Sequence, residues 1–174
     1  MKIISRMLYM LLMSITPVKK KYQWCKLFYS VKFGKNVSII GFPRWASESY
    51  LISIGSDVTI AHNVVFHTHD GGVRVFRKEV PGINVYGKIS VGNNVFIGSD
   101  SIIMPNVTIG NNVVLGSGSL VSKSIPDNVI AVGVPARPIK SLEEYKDACL
   151  KKGMIIPPNL RSKAKEALIR NKLN

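Results

Sequence analysis

The three histidines of this chain, His62, His67 and His69, fall within one short segment. An imidazole titrates near neutral pH, so it can take a proton from a hydroxyl and pass one to a leaving group. His67 and His69 stand at the root of a stretch, Asp70 to Lys88, that opens HDGG and contains Pro81-Gly82. Gly and Pro in that arrangement mark a loop, and loops projecting from a rigid scaffold commonly carry binding and catalysis. Arg74, Arg77 and Tyr86 are the polar and aromatic groups this loop offers to an acceptor molecule. Metal chemistry is a second reading of the cluster, since His62 and His67 have an x4 spacing. A catalytic zinc needs three protein ligands, however, and the third is hard to place when every histidine lies in one segment.

The elements that hold this segment are read from a period of six. From Ile89 the chain runs ISVGNN, VFIGSD, SIIMPN, VTIGNN, VVLGSG, SLVSKS, with Val91, Ile97, Ile103, Ile109, Leu115 and Val121 in the third place of each hexad. Six fits neither the 3.6 of a helix nor the 2 of a plain strand. It fits a short strand followed by a corner, three of which close one coil of a parallel β-solenoid. ISIGSD, VTIAHN and VVFHTH repeat the pattern upstream, with Ile54, Ile60 and Phe66 inward, and Phe66 to Val91 is 25 residues, so one insertion breaks the phase. Asn and Gly cluster at the hexad ends, where a corner needs residues that tolerate left-handed backbone. A β-sandwich would place turn signals every 8 to 12 residues instead.

The net charge of +14 suggests a nucleic-acid binder until it is divided along the chain. Residues 1–51 carry nine Lys/Arg and one acid, residues 52–136 five of each, and residues 137–174 ten and four. The coil body is therefore neutral, which argues against a basic groove along it and against nucleic acid as a partner. Three regions follow: an apolar, amphipathic segment over 1–30, a parallel β-helix over 31–140 with its insertion loop at 70–88, and a helical tail over 141–174. Met7 to Val18 is uncharged between Lys2 and Arg6 on one side and Lys19, Lys20 and Lys21 on the other. Twelve residues fall short of the roughly 20 that cross a bilayer. The segment reads either as an interfacial helix, giving residues 1–21 peripheral contact with an anionic membrane face, or as a cap on the open end of the coil. Ser141 and Glu144 read as a capping box and Gly153 as a helix stop, with a second basic helix from Ser162 to Leu173; both helices are expected to cover the C-terminal end of the coil. Two lone cysteines, Cys25 and Cys149, suit a reducing cytoplasm.

The hexads, the FHTHDGG segment before a loop, and the stretch GSGSLVSKSIPDNVIAVGVPARPIK resemble the hexapeptide-repeat acetyltransferases, especially the sugar O-acetyltransferases related to the maltose and galactoside enzymes. The resemblance covers residues 50–145 and implies an all-β left-handed parallel β-helix, a homotrimer, acetyl-CoA as co-substrate with no metal required, and a carbohydrate acceptor, with a surface polysaccharide or its precursor as the expected one. It identifies His69 as the catalytic base, with His67 as the alternative. Ser99 and Ser117 match coil positions facing the pantetheine arm, and Lys123, Arg137 and Lys140 match basic positions near the nucleotide and its 3′-phosphate. Phe96 matches an aromatic position on the acceptor side, and a main-chain N–H near Ser99 would face the developing oxyanion. Transfer to an aminosugar nitrogen or an antibiotic uses the same fold, and a γ-type carbonic anhydrase is the reading from a different class.

Overall fold

The computed structural model describes residues 3–173; Lys2, one end of the basic collar around the first apolar segment, lies outside the described residues. Two helices, α1 (Ile3–Ile15) and α2 (Tyr22–Tyr29), precede the coils. The first coil holds β1 (Lys32–Phe33) and β2 (Ser38–Ile39), the second β3 (Ile52–Ile54), β4 (Thr59–Ile60) and β5 (Val65–Phe66). After the insertion come β6 (Ile89–Val91), β7 (Val95–Ile97) and β8 (Ile102–Ile103), then β9 (Val107–Ile109), β10 (Val113–Leu115) and β11 (Leu120–Val121). The strands are short because each hexad must spend half its length turning a corner.

Stacking the coils makes three parallel ladders, one per face: β1-β3-β6-β9, β2-β4-β7-β10-β12 and β5-β8-β11, with β12 spanning Val129–Gly133. Register follows the hexads, so Ile54 lies beside Val91 and Val91 beside Ile109. The expected inward column from Ile54 to Val121 is buried throughout. It also reaches one coil further upstream than ISIGSD, through Phe33, Ile39 and Trp45, again six apart. Trp45 stacks on Phe66 with ring centroids 4.7 Å apart, an aromatic layer at the wide end of the prism.

The corners explain the Asn-rich hexad ends. Asn36, Asp57, Asn94, Asn112 and Asn128 all have φ between 55° and 61° and stack in one column. Their side chains continue the ladder: Asn94 Nδ2 donates to Asn112 Oδ1 at 2.8 Å, and Asn112 Nδ2 to Asn128 Oδ1 at 2.9 Å. Asn and Asp visit this region at lower cost than other L-residues because the short polar side chain bonds locally. Between the second and third faces, buried Ser101 and Ser119 close the turn by donating to the carbonyls of Gly98 and Gly116.

The N-terminal helices seal the open end. Tyr9, Met13 and Cys25 are buried against the core, and burial pushes the Cys25 thiol up to about 11. Lys21, expected in a solvated collar, is instead buried with its ammonium 5.4 Å from the centroid of Phe42. The other face of α1 stays open: Met7, Leu11 and Ile15 are 59–70% exposed, and Leu27 of α2 joins them. No helix among the described residues is long and apolar enough to cross a membrane.

At the far end, β12 turns back on antiparallel β13 (Ala136–Ser141) through the cis Val134–Pro135 bond. Ile130, Ala131 and Ala136 are buried there. The capping box of α3 (Leu142–Lys152) forms as read, with Ser141 and Glu144 bonding reciprocally. The expectation that the last helices cover the coil is not met: no residue of α3 or of α4 (Ser162–Leu173) is buried. α3 is tethered to the coil end at its start, where Leu142 N–H donates to Asn128 C=O.

Candidate active site

Two excursions leave the prism at the same edge, the one where the third face turns into the next coil. The first, Ala46 to Leu51, is a shorter phase break between Trp45 and Ile54; the second is the Asp70–Lys88 insertion one coil on. The legs of the larger loop are pinned together at its root. Gly87 N–H donates to Thr68 C=O at 2.8 Å and Asp70 N–H to Val85 C=O at 2.9 Å, with an antiparallel bridge between His69 and Tyr86. Gly87 has to be glycine, because a Cβ there would strike the backbone of Asn106 in the coil beneath.

His69 is thus held on a rigid leg, and a carboxylate from the first excursion meets it. Nδ1 of His69 lies 2.8 Å from Oε2 of Glu48. Glu48 also accepts from the Ser47 hydroxyl at 2.7 Å and the Thr68 hydroxyl at 3.2 Å. These donors, Ser47 first and then His69, hold its carboxyl below the ordinary glutamate range. An ionised carboxylate only accepts, so Nδ1 carries the hydrogen and Nε2 presents its lone pair. The pair has the composition of a proton-accepting dyad: an imidazole whose Nδ1 is held by a carboxylate, which orients the ring.

His69 lines a cavity of about 310 Å³ together with Glu48, Arg74, Arg77, Asn84 and Tyr86, among others. The Tyr86 ring stands edge-on to His69 at 6.4 Å. Arg74, Arg77 and Tyr86 of the loop thus share a cavity with the histidine. Asp70 does not touch the imidazole. It caps the 3₁₀ turn Gly71–Phe76 by accepting from Gly72 N–H at 2.8 Å.

The remaining site residues lie elsewhere on the chain. Ser99 and Ser117 stack at the edge between the second and third faces, where His62 also sits, with Gly118 N–H donating to Ser99 C=O. The N–H groups of Gly98 and Asp100 on either side of Ser99 are taken by Leu115 and His62 carbonyls, while that of Ser99 has no protein acceptor among the described residues. Phe96 points outward, 41% exposed, from β7 on the second face. Within one chain that face lies opposite the edge bearing His69, so Phe96 and the two serines do not reach its cavity. Lys123 lies on the same edge as His69, two coils further along, about 10 Å up the prism at one strand spacing per coil.

Arg137 and Lys140 are three apart on β13, which in a regular strand would send them to opposite faces. The pairing shifts between Ile130 and Ala131, so that Val132 opposes Arg137 and Ile130 opposes Lys140. The bulge at Ile139 returns both side chains to one face. Among the described residues no three His, Cys, Asp or Glu converge as a metal-ligand group.

Glu48 is the functional candidate that sequence reasoning missed. Two signals were available: it is the one acid among the first 51 residues, and it sits in a phase break visible once Phe33, Ile39 and Trp45 are seen as inward positions. Aromatic occupants hid the first coil, and with it the break.

A family model described as bacterial transferase hexapeptide (six repeats) matches residues 88–123. Protein CapG of Staphylococcus aureus is 55% identical over 122 residues, spanning 69% of this chain and 71% of that protein. Galactoside O-acetyltransferase of Escherichia coli K12 is 39% identical over 118 residues, which span 64% of this chain and 57% of the enzyme's own length. A galactoside acetyltransferase solved in complex with coenzyme A superimposes with a TM-score of 0.59 at 31% identity, covering 82% of this chain and 83% of the other. With its hexad core, its triangular coils and these relatives, the chain belongs to the hexapeptide-repeat acetyltransferases of left-handed β-helix fold, as a sugar O-acetyltransferase-like member.

Proposed function

We propose that this acetyl-CoA-dependent acetyltransferase moves the acetyl group to a hydroxyl of a sugar in a surface polysaccharide or its precursor, with His69 as general base. The observation that carries the reading is the His69–Glu48 pair facing a cavity at the root of a loop. Nε2 takes the hydroxyl proton as the sugar oxygen attacks the thioester carbonyl. The C–S bond then breaks, and the imidazolium returns the proton to the thiolate, giving an O-acetyl ester and free CoA. Glu48 stabilises the imidazolium in between. The unpartnered Ser99 N–H is a preorganised donor for the oxyanion, provided it comes from a neighbouring chain.

That condition makes the homotrimer part of the proposal. His69 and Lys123 occupy one edge of the prism, Ser99 and Ser117 another, and apposing the two edges of adjacent chains assembles one complete site. The donor would lie in that groove, with Ser117 and Ser99 along the pantetheine arm and Lys123, Arg137 and Lys140 at the nucleotide end. Phe96, separate in its own chain, would reach an acceptor only from a neighbour. We place the enzyme at the inner face of the membrane of a reducing cytoplasm, held peripherally through the exposed apolar face of α1 beside Lys19 and Lys20.

Incubating the protein with acetyl-CoA and a glycan panel, with thiol release and product mass both followed, tests the function. An acetylated, base-labile ester is the expected product; acetylation only of amines would move the chain to N-transfer.

A further inference from the structure

The cavity beside His69 is lined by two arginines that make no ion pair with the two acids, Glu48 and Asp70, that share it. Arg74 and Arg77 lie three apart across the end of the 3₁₀ turn Gly71–Phe76. In a 3₁₀ helix residues i and i+3 eclipse, so both guanidiniums are delivered to the same side of the turn, and both line the cavity. Of the two acids that line the cavity, Asp70 caps the turn, and Glu48 is occupied by Ser47, Thr68 and His69. Among the described residues neither arginine has a carboxylate partner. Arg77 Nη2 donates to the neutral Oδ1 of Asn84 at 3.0 Å, and Asn84 is itself fixed through Nδ2 to the Gly82 carbonyl at 2.8 Å. This chain anchors one guanidinium with an uncharged acceptor and leaves the other unpaired beside it.

Two guanidiniums that line one cavity and make no ion pair remain available to an anion. The planar fork of Arg suits the paired oxygens of a carboxylate or phosphate. Across the cavity, Tyr86 supplies an aromatic edge and His69 the base. We infer that the acceptor is an anionic sugar, whose carboxylate or phosphate docks on Arg74 and Arg77 and so presents a ring hydroxyl to Nε2 of His69. The inference rests on the acetyltransfer reading and narrows its acceptor class.

The test compares a neutral methyl hexoside, the matching methyl hexuronoside and the matching hexose 1-phosphate as acceptors, by kcat/KM and by calorimetric binding without turnover. The expected result is that an anionic acceptor is preferred at least about tenfold over the neutral one, with the preference falling as salt rises. Which of the two anions leads separates a uronic acid from a phosphorylated sugar. In Arg74→Gln, Arg77→Gln the ratio collapses toward one; Arg77→Lys keeps part of it by retaining charge without the fork. Lys163→Gln on α4 removes one charge away from the cavity and leaves the ratio unchanged.

Equal binding and turnover of neutral and anionic acceptors, or a preference that survives the double variant, overturns the inference. Calorimetry with CoA on the same samples keeps the two levels apart. A protein that binds CoA but ignores acceptor charge loses only the anionic acceptor, whereas one that does not bind CoA loses the acetyltransfer reading as well.

Discussion

His69 and Glu48 are 21 residues apart and belong to different coils, yet their side chains meet at 2.8 Å because both chain excursions leave the prism at the same edge. A parallel solenoid returns to each edge once per coil, so insertions at one edge in consecutive coils become neighbours across one strand spacing. The dyad is thus a consequence of phase: both breaks in the hexad pattern follow the third face.

His69→Ala should lower kcat by about a hundredfold or more, with CoA affinity nearly unchanged, since the ring acts on the hydroxyl rather than on the donor. Glu48→Gln should cost less, about tenfold, because an amide oxygen still accepts from Nδ1 but no longer stabilises the imidazolium. Steady-state kinetics beside CoA calorimetry gives both quantities. An active His69→Ala with a dead His67→Ala would transfer the role to His67.

The low carboxyl of Glu48 yields a pH prediction whose sign is fixed. A carboxylate depressed on folding adds stability above its unfolded value and loses it as pH falls through the folded value. Wild type should therefore exceed Glu48→Gln in melting temperature at pH above the ordinary glutamate range. The margin should shrink only at pH below the ordinary glutamate range. Removing the Ser47 hydroxyl in Ser47→Ala should move that shrinkage to higher pH, and a margin independent of pH down to unfolding would refute the assigned cause.

The hexads made the coil body legible because each inward position is a buried aliphatic and each corner an Asn, Asp or Gly, so that local chemistry and global packing carry the same period. They made the larger insertion legible too, and with it the loop that positions Arg74, Arg77 and Tyr86. Glu48 was illegible for a physical reason. Phe33 and Trp45 fill the wide first coil with rings, which breaks the aliphatic column that the eye follows. The pair Arg137 and Lys140 was legible only as composition; what aligns them is a bulge at Ile139, and a bulge has no residue signature of its own here. The exposed tail helices misled because a good capping box fixes where a helix starts and says nothing about what it packs on.

The N-terminal helix has two faces that can be separated by mutation. Met13, fully buried, should cost about 2–4 kcal/mol of stability as Met13→Ala, in the range for large-to-small core changes. Leu11→Glu with Ile15→Glu, on the exposed face, should change stability little but abolish binding to anionic vesicles, which itself should weaken with salt. Co-sedimentation with vesicles and thermal melting read the two effects. Wild-type protein that ignores anionic vesicles at low salt would leave the exposed face without a lipid partner.

The basic positions predict how the donor is recognised. If Lys123, Arg137 and Lys140 surround the 3′-phosphate, CoA should bind better than dephospho-CoA by roughly threefold to thirtyfold, a modest gap because all three side chains are exposed. Arg137→Ala with Lys140→Ala should narrow the gap. Equal affinities for the two ligands in the wild type would remove these residues from the donor site.

The division of the site between two edges predicts complementation. His69→Ala disables one edge; Ser117→Trp, at an exposed corner on the other, should block the donor groove while leaving the buried column intact. Each variant alone should be inactive. Co-expressed in equal amounts and mixed at random, they form interfaces in which an intact His69 edge faces an intact Ser117 edge in about a quarter of cases, so about a quarter of wild-type activity should return. Light scattering on the same sample should give the mass of three chains. If the two edges work within one chain, or if the protein is monomeric, mixing restores nothing, and melting curves matching wild type would exclude misfolding of Ser117→Trp as the cause.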